Sequence, residues 1–395
     1  MTQHFKTIII GRGLMGSAAA RHLASMTDGV AVIGPDEPLD KANHKGVFAS
    51  HYDEGRITRT IDRDPVWAEL ANRSIARYRA IEHESGIDFY SEVGALIAAP
   101  SRSGTRYMAA VIEAAESCGV KPQQMDAEAL AARFPYFEFA DGTKAVYEAE
   151  NAGHISPRRL VAAQSLLAKK AGATVIADTV TEVQEKAEHV VVKVEGGSVH
   201  TADRVLVAAG GFTVNEKLLP RKIDLSVFAR TIAYFEVDED GAEALADMPS
   251  LIYKPDAETD GIYLLPPIRY PDGRFYLKIG GDPEDLPLKN EAAIKDWFRS
   301  SGQKATREYL TRVLCDLMPG IRVLNTQTGT CATSYSPSGY PMVGFLPSSR
   351  VAVLTAGCGA GAKSSDEIGR LGAVLMDKGT LQGEGYSVDF APSFF

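Results

Sequence analysis

A glycine-rich turn near the start of the chain is the feature that most constrains its fold. The turn covers residues 11–16 and reads GRGLMG. An apolar strand is predicted before it at Lys6–Ile10, and an alanine-rich helix after it at Ser17–Ser25. A second apolar run, Val30–Ile33, completes a strand–helix–strand unit of the size that binds dinucleotides. A glycine-rich turn alone would be weak evidence, but here the strand and the helix stand in the required order.

The glycines of this turn have separate tasks in such a unit. The first allows a tight turn, the second lets the backbone approach a pyrophosphate at the helix N-terminus, and the third lets helix and strand pack closely. The predicted cofactor contacts in the turn are Gly11, Gly13, Leu14, Met15 and Gly16. The acidic residue that usually follows the second strand and binds the ribose is missing, because Gly34 stands there. Asp36 and Glu37 are the candidates to replace it, and the sequence does not choose between them.

Charge and cysteine content narrow the class of protein. The 395 residues carry a formal net charge of -9 and contain no basic run, which argues against a nucleic-acid partner. The four cysteines form no CxxC pair, which argues against a disulfide scaffold or a metal site and favours a reducing, cytoplasmic compartment. The first strand starts by Lys6, so no cleaved signal peptide is expected. No apolar run approaches the ~20 residues of a membrane span.

Two later segments repeat the pattern of an apolar strand followed by small residues. Residues 202–211 end in two alanines and two glycines, Gly210 among them, and residues 351–361 end in a glycine-rich run. Small residues at such positions let a backbone pass close to a ligand. The stretch 228–279 between them is mostly β in pattern. The order predicts a discontinuous dinucleotide domain, with an inserted sheet domain that covers the cofactor.

The glycine turn and four further segments together resemble the FAD-dependent amine and amino-acid oxidases of the D-amino-acid oxidase type. The monomeric sarcosine oxidase and N-methyltryptophan oxidase group is the most similar. The resemblance runs from Ile8 to about Leu375 and is thin over residues 100–150 and 216–250. It implies an α/β fold (α+β, two-domain), with a glutathione-reductase-type, Rossmann-like FAD-binding domain and a β-sheet substrate-binding domain. The expected FAD-binding pieces are residues 1–90, 150–215 and 325–395, and the expected substrate-binding pieces are residues 91–149 and 216–324.

The second segment of the resemblance, Ala49–Arg59, carries two arginines three residues apart. The resemblance implies that Arg56 lies beside the flavin and serves catalysis, and that Arg59 binds the substrate carboxylate. Ser50 is an implied cofactor contact. A guanidinium presents a rigid fork of donors that fits a carboxylate, so the chemistry agrees with these roles. Outside the family context, the two arginines would be interpreted as surface residues.

The third segment, residues 276–281, resembles the part of sarcosine oxidase whose lysine meets the N5 side of the flavin through a water. The implied catalytic role of Lys278 is to promote the reaction with O₂, because a fixed cation stabilises negative charge that develops on oxygen. From the residues alone, Lys278 only ends an apolar strand, a position that is more often solvated. Tyr263 lies in the neighbouring segment and matches an active-site tyrosine of the same group.

The fourth segment contains Cys331, followed by a predicted Thr/Ser-rich turn, Pro337 and Gly339. It is similar to the family segment whose cysteine is linked to the 8α carbon of the flavin, which implies covalent attachment of the FAD through Cys331. Such a bond needs a thiolate in a polarised site close to the cofactor. The alternative is a buried, inert cysteine, which is the commonest environment of the residue.

The fifth segment, residues 359–365, resembles the family's glycine-rich loop and implies Lys363 as a second ligand of the substrate carboxylate. Two departures stand out. The loop is one residue shorter than in sarcosine oxidase, and Asp282 occupies the place of an active-site histidine, which changes the charge near the reacting nitrogen. The remaining implied cofactor contacts are Val180, Gly210, Gly359, Gly361 and Lys363 itself.

The implied function is that of a monomeric flavin oxidase. Its substrate would be a secondary amine that carries a carboxylate, and the oxidised C–N bond would give an imine that hydrolyses to an amine and an aldehyde, with O₂ reduced to H₂O₂. Sarcosine is the family default; iminodiacetate, with Arg269 as an extra cation, is the other substrate considered. Two further functions stay open: a flavin dehydrogenase that passes electrons to a protein partner, and a flavin-binding protein without turnover. An NAD-dependent reductase is disfavoured, because the ribose acid is missing.

Overall fold

The computed structural model describes residues 3–100, 104–254 and 261–395 of the chain. The strands are β1 Gln3–Ile10, β2 Val30–Ile33, β3 Arg56–Thr58, β4 Tyr90–Ser91, β5 Ala95–Ala99, β6 Gln123–Met125, β7 Lys144–Glu148, β8 Gly153–Ile155, β9 Thr174–Ile176, β10 Val180–Glu185, β11 Val190–Val194, β12 Val199–Val207, β13 Ser226–Val237, β14 Ser250–Tyr253, β15 Ile262–Arg269, β16 Phe275–Gly280, β17 Leu286–Pro287, β18 Asn325–Tyr335, β19 Met342–Phe345 and β20 Val351–Thr355. The helices are α1 Leu14–Ala24, α2 Pro65–Ser85, α3 Gly104–Ser117, α4 Ala127–Arg133, α5 Pro157–Lys170, α6 Glu239–Ala244, α7 Glu291–Arg299, α8 Lys304–Leu317 and α9 Ser365–Lys378, with a 3₁₀ helix at Gly210–Val214. None of the helices in the described ranges is long and apolar enough to cross a membrane.

The first sheet is built around the predicted dinucleotide unit. Strands β9, β2, β1, β12 and β20 run parallel in that order. The first half of β12 pairs antiparallel with β11, which pairs with β10, and β19 pairs antiparallel with β20. Ile8 and Ile9 of β1 are fully buried, as expected for a parallel strand covered on both faces.

Helix α1 leads away from the glycine turn and packs against both α9 and α5. Ala18, Ala19 and Ala20 are fully buried, and these small side chains bring the helices close together. A Cβ added at Gly369 of α9 would lie 2.5 Å from the Cβ of Ala18, so this packing requires a glycine. The start of α1 is thereby fixed at the carboxyl end of β1.

The second sheet has the strand order β17-β13-β16-β15-β14-β5-β7-β6, with β18 also paired to β13. All of its pairs are antiparallel except β14 with β5. Residues 325–335 of β18 pair along their whole length with β13. The Thr/Ser-rich residues after Cys331 therefore continue a strand, and the turn predicted there is wrong.

A third, small sheet of β3, β8 and β4 holds the segment that carries the two predicted arginines. Among the described residues, the strands of the first sheet all lie in the pieces expected to bind FAD. Those of the second sheet lie in the expected substrate-binding pieces, apart from β18, which starts at the expected boundary of residue 325. The division into two functional domains stays a prediction.

Candidate active site

A cavity opens at the carboxyl end of β1, and residues from both large sheets line it. Its walls include the glycine turn, residues 47–52, residues 208–212 and the loop 355–357. The predicted cofactor contacts that line it are Gly11, Gly13, Leu14, Met15, Ser50, Arg56, Val180, Gly210, Cys331, Gly359 and Gly361. Three other predicted contacts, Gly16, Asp36 and Lys363, lie outside this lining.

Gly11 and Gly16 hold the start of α1 against the first sheet. Gly11 has a φ of 102°, and a Cβ added there would collide with the carbonyl oxygen of Ala208. A Cβ on Gly16 would collide with the carbonyl oxygen of Gly11. Helix α1 starts after Gly13 with no side-chain cap, so its first backbone N–H groups have no side-chain partner. These N–H groups suit an anionic group in the cavity.

The absence of an acidic residue at the usual ribose-binding position has a steric cause. A Cβ on Gly34 would lie 2.6 Å from the backbone nitrogen of Arg12, so no side chain fits there. Both candidate replacements are paired within the chain. The exposed Asp36 pairs with the guanidinium of Arg12. Glu37 accepts hydrogen bonds from Arg158, from Nε at 2.7 Å and Nη2 at 2.9 Å, and neither carboxylate lines the cavity.

Arg56 and Cys331 come together at one wall of the cavity. The Nη2 of Arg56 donates to the carbonyl of Ser50 at 3.0 Å and lies 3.5 Å from the Sγ of Cys331. Its Nη1 donates to the carbonyl of Gly55 at 3.0 Å and pairs with Asp53. The thiol of Cys331 therefore lies beside a fixed positive charge at the cavity wall.

The backbone around Cys331 is fixed by contacts from two sides. The indole Nε1 of Trp297 donates to the carbonyl of Cys331 at 2.8 Å, and the hydroxyl of Ser50 donates to the carbonyl of Ala332 at 2.8 Å. The Oγ1 of Thr333, which also lines the cavity, is buried and has no partner among the described residues. A bound ligand could therefore satisfy this hydroxyl.

Lys278 is fully buried in β16, so it is not the solvated strand end that its sequence context allowed. Its Nζ donates to the Oδ2 of Asp53 and to the carbonyl of Gly55, both at 2.5 Å. Since Arg56 pairs with the same carboxylate, one acidic residue joins the two predicted catalytic cations. The sequence analysis missed Asp53, although it lies three residues before Arg56.

Tyrosine rings line the neighbourhood of these cations. The ring of Tyr263 covers Gly280, where an added Cβ would collide with it, and its centre lies 5.6 Å from the Nζ of Lys278. The rings of Tyr234 and Tyr270 contact each other edge to face, with centroids 5.3 Å apart. Burial raises the pKa of Tyr263 and of both other tyrosines, so all three phenols are neutral.

Asp282, the departure from the family pattern, lies half-buried just after β16. Its two carboxylate oxygens lie 3.1 and 3.3 Å from the backbone nitrogen of Thr231, which donates to them. Burial raises the pKa of Asp282 from 3.8 to about 6. The carboxyl therefore changes charge in the working range of many enzymes, within electrostatic reach of Tyr263.

Arg59 and Lys363 are brought together, but on a carboxylate of the chain itself. The Nη2 of Arg59 donates to the Oδ2 of Asp62 at 2.9 Å, and the Nζ of Lys363 lies 3.1 Å from the same oxygen. Lys363 is buried, and its Nζ also donates to the carbonyl of Trp67 at 3.2 Å. Burial lowers the pKa of Lys363 to about 8. The buried Nε of Arg59 has no partner among the described residues.

The structure does not bring Arg269 to this group. Arg269 is exposed at the end of β15, and its Nε donates to the carbonyl of Gly273 at 3.3 Å. Two basic residues that were not predicted are associated with Arg59 instead. Burial, and then the charges of Arg63 and Arg59, lower the pKa of Lys254, which places both arginines within electrostatic reach of this lysine.

The residues around the cavity fit an FAD. The uncapped start of α1 suits a pyrophosphate. Val47, Phe48 and Phe298 give apolar walls that suit aromatic rings. The cavity extends from the glycine turn to Cys331 of the second sheet and Arg56 of the third.

Comparisons with known proteins agree with this geometry. Over 394 residues the chain is 26% identical to monomeric sarcosine oxidase of Bacillus sp. (strain NS-129), an alignment that covers 97% of this chain and 95% of that protein. It is 25% identical over 384 residues to monomeric sarcosine oxidase of Streptomyces avermitilis, covering 95% and 94%.

Solved structures show the same fold. NikD, an unusual amino acid oxidase essential for nikkomycin biosynthesis, superposes in its open form with a TM-score of 0.77 at 20% identity, covering 99% of this chain and 98% of that one. Iminodiacetate oxidase from Chelativorans sp. BNC1 superposes with a TM-score of 0.70 at 20% identity, covering 98% and 99%. The family model for FAD dependent oxidoreductases, abbreviated DAO, matches residues 6–375. With nearly the whole chain matched and a cavity that fits the cofactor, the protein belongs to the FAD-dependent oxidoreductases of the DAO family.

Proposed function

We propose that the protein is an FAD-dependent oxidase that acts on the C–N bond of a secondary amine bearing a carboxylate. The observation that carries the proposal is the contact of Arg56 with Cys331 at one wall of the cavity, together with Asp53, which pairs with both Arg56 and the buried Lys278. The sarcosine oxidases and the iminodiacetate oxidase to which the chain is similar support the substrate class. When bound, the FAD accepts two electrons from the C–N bond and passes them to O₂, which is released as H₂O₂.

Arg59 is the proposed ligand of the substrate carboxylate. Its Nη2 is held by Asp62 while its buried Nε has no partner among the described residues, so the guanidinium is oriented and still has a donor to offer. Lys363 contributes a second positive charge from behind Asp62. A charge-assisted hydrogen bond of this kind stabilises a complex by about 1.5–3 kcal/mol. Binding at this point fixes the C–H next to nitrogen for reaction.

The amine must bind with its lone pair free, since a protonated nitrogen cannot donate into the developing imine. The phenols of Tyr263 and Tyr270 are neutral, so they add no negative charge that would hold an ammonium. The imine then leaves, and water hydrolyses it to a primary amine and an aldehyde. Lys278 is the cation that stabilises negative charge on O₂ during its reduction.

Cys331 is the proposed point of covalent attachment. Its Sγ is 3.5 Å from the Nη2 of Arg56, and the residue is 8% exposed at the cavity wall. The proposed bond would join this sulfur to the 8α carbon of the flavin, with the guanidinium of Arg56 as the charged group beside it. Its formation would leave two electrons on the flavin, which O₂ would then accept. The indole of Trp297 donates to the carbonyl of Cys331 and would hold the strand in place during that reaction.

The substrate is proposed to be a small amino acid with an N-methyl or N-carboxymethyl group, such as sarcosine or iminodiacetate. Arg63 and Lys254 place further positive charge within electrostatic reach of Arg59. This excess of positive charge favours the N-carboxymethyl compound, whose second carboxylate would otherwise be unpaired. We propose that the protein works as a monomer, like the monomeric sarcosine oxidases to which it is similar.

The test is a panel of small amines mixed with the holoprotein under nitrogen, with the flavin absorbance as the readout. Sarcosine or iminodiacetate should bleach the flavin, and in air the same amine should give H₂O₂ without an added acceptor. Bleaching without peroxide would instead show a dehydrogenase that needs a protein partner. No bleaching with any amine would show a flavin-binding protein without turnover.

A further inference from the structure

Asp53 uses every oxygen lone pair available to it in holding the groups around the cavity wall. Its side chain is 4% exposed. The Oδ2 accepts from the Nζ of Lys278 at 2.5 Å and pairs with the guanidinium of Arg56. The Oδ1 accepts from the hydroxyl of Tyr270 at 2.8 Å and from the backbone nitrogen of Glu54 at 2.8 Å. The carboxylate is thus locked in orientation from four directions.

We propose that Asp53 is a positioning residue, which fixes the ammonium of Lys278 and keeps it charged while O₂ is reduced. The inference rests on the proposed function, in which Lys278 assists that step. No role in the reaction would require Asp53 to touch the substrate or the cofactor. Asp53 acts indirectly, by setting the charge and the position of the Lys278 ammonium.

The groups that face Lys278 show why a counter-ion is needed. Burial, and then the charge of Arg56, lower the pKa of Lys278 well below its ordinary value, while Cys331 raises it. The ring of Tyr263 lies 5.6 Å away. His154 adds no further positive charge, because burial and then the charge of Lys278 lower the pKa of this histidine to about 4.

Among the described residues, Asp53 is therefore the carboxylate that contacts the ammonium. A buried ammonium beside a guanidinium releases its proton unless an opposite charge compensates it. The reaction that depends on this charge is the transfer of two electrons and two protons to O₂ to give H₂O₂. The electrons come from the amine through the reduced cofactor, so Lys278 supplies charge and is not consumed. A neutral lysine could not stabilise the anion that the first electron creates on oxygen.

The experiment compares Asp53→Asn with the wild-type holoprotein by stopped flow, with the rate of flavin re-oxidation by O₂ followed from pH 6 to pH 9. Loss of a contacting opposite charge lowers a pKa by about 1–3 units, so the re-oxidation rate of the variant should be ~10-fold or more below wild type at pH 8. The deficit should shrink as the pH is lowered, because a lower pH favours protonation of Lys278. Asp53→Glu, which keeps the charge, should restore most of the rate at pH 8.

Glu54→Gln is the matched control for removing a buried carboxylate nearby. The side chain of Glu54 accepts from Ser156 at 2.7 Å and pairs with Arg158, and it does not contact Lys278. The pH profile of this variant should match wild type. If Asp53→Asn loses the same factor at every pH, the residue is structural and the inference is overturned.

Two further variants keep the test decisive. If Asp53→Asn does not retain its flavin, Tyr270→Phe, which removes one contact of the carboxylate, should show a smaller shift of the profile in the same direction. An unshifted profile there would overturn the inference. Lys278→Met separates the two proposals. Unchanged re-oxidation in Lys278→Met removes the role of the lysine itself, whereas a slowed Lys278→Met with a normal Asp53→Asn removes the role of Asp53 alone.

Discussion

Arg59 and Lys363, from opposite ends of the chain, bind the same oxygen of one buried carboxylate. The distances to the Oδ2 of Asp62 are 2.9 Å from the guanidinium and 3.1 Å from the ammonium. Burial raises the pKa of Asp62, but the charges of Lys363 and then Arg59 outweigh this effect and lower the pKa to about 2. The three side chains together carry one net positive charge when all are ionised. Under the proposed function, a substrate carboxylate would meet cations that an internal anion already orients.

Removing either cation should weaken the binding of carboxylate-bearing amines and of simple carboxylate inhibitors. Arg59→Ala and Lys363→Ala should each raise the dissociation constant of acetate by ~10-fold or more, as the loss of a charge-assisted contact implies. The two losses should be non-additive in the double variant, because both groups act on one anion. Arg59→Lys should also be damaging, since an ammonium cannot reproduce the forked contact. Titration of acetate against the flavin spectrum measures all four.

Asp62→Asn provides the control with the opposite sign. It removes the internal anion and leaves both cations, so acetate should bind more tightly than to the wild type. An amine without a carboxylate should bind almost equally to all of these variants. Acetate binding that is unaffected by Arg59→Ala would contradict the substrate assignment while leaving the cofactor assignment intact.

The flavin should remain attached to the denatured protein through Cys331. After acid precipitation of the holoprotein, the yellow colour should stay with the pellet, since a thioether bond survives unfolding. Cys331→Ala should yield bound but extractable FAD, or none, and Cys358→Ala serves as the matched cysteine control. Recovery of all flavin in the supernatant of wild-type protein would disprove covalent attachment.

Lys278→Met should slow flavin re-oxidation by O₂ far more than flavin reduction by the amine. The reason is that the cation acts where negative charge builds up on oxygen, and only an interaction that is stronger in that transition state accelerates the step. Stopped flow times the two half-reactions separately. Equal slowing of both would show that Lys278 holds the substrate or the fold instead.

The stability of the protein should carry a pH dependence that traces to Asp282. Its pKa is raised by burial from 3.8 to about 6, so the carboxyl stabilises the fold fully below pH 3.8 and loses that contribution as pH rises through 6. Asp282→Asn removes this loss. The melting temperature of the Asn holoprotein minus that of wild type should therefore be about 1–3 °C larger at pH 7 than at pH 4. Parallel melting curves across that range would show that Asp282 does not titrate there.

Much of the fold could be predicted because its signals are local. The apolar run at Val30–Ile33 is a strand with the predicted bounds. The helix at Pro65–Ser85 likewise has local signals at both of its ends. Asp64 caps its N-terminus and Gly86 ends it, and both are residue types that mark helix ends in a sequence. The strand that carries Cys331 was not predicted, since its threonines and serines resemble a turn and only pairing with β13 makes them a strand.

The site was predicted in part for the same reason. Arg56, Lys278 and Cys331 belong to segments whose resemblance to a family can be seen one segment at a time. Asp53 and Asp62 were not selected, although each pairs with an arginine three residues away. Their other partner is a lysine far away in the chain, 225 residues away in the case of Asp53 and Lys278, and only folding brings the two together. Arg269 was selected for its charge, but its direction depends on a hairpin that only the folded chain shows.

The order of the first sheet also bears on how the protein is made. Strand β1 is central, yet its neighbour β12 is flanked on the far side by β20, and the loop after β20 closes the cavity. A ribosome must therefore deliver the chain as far as residue 362 before the flavin has a complete binding site. Contacts of such long sequence separation form slowly. We expect the cofactor to enter after synthesis, into a chain that is already largely folded.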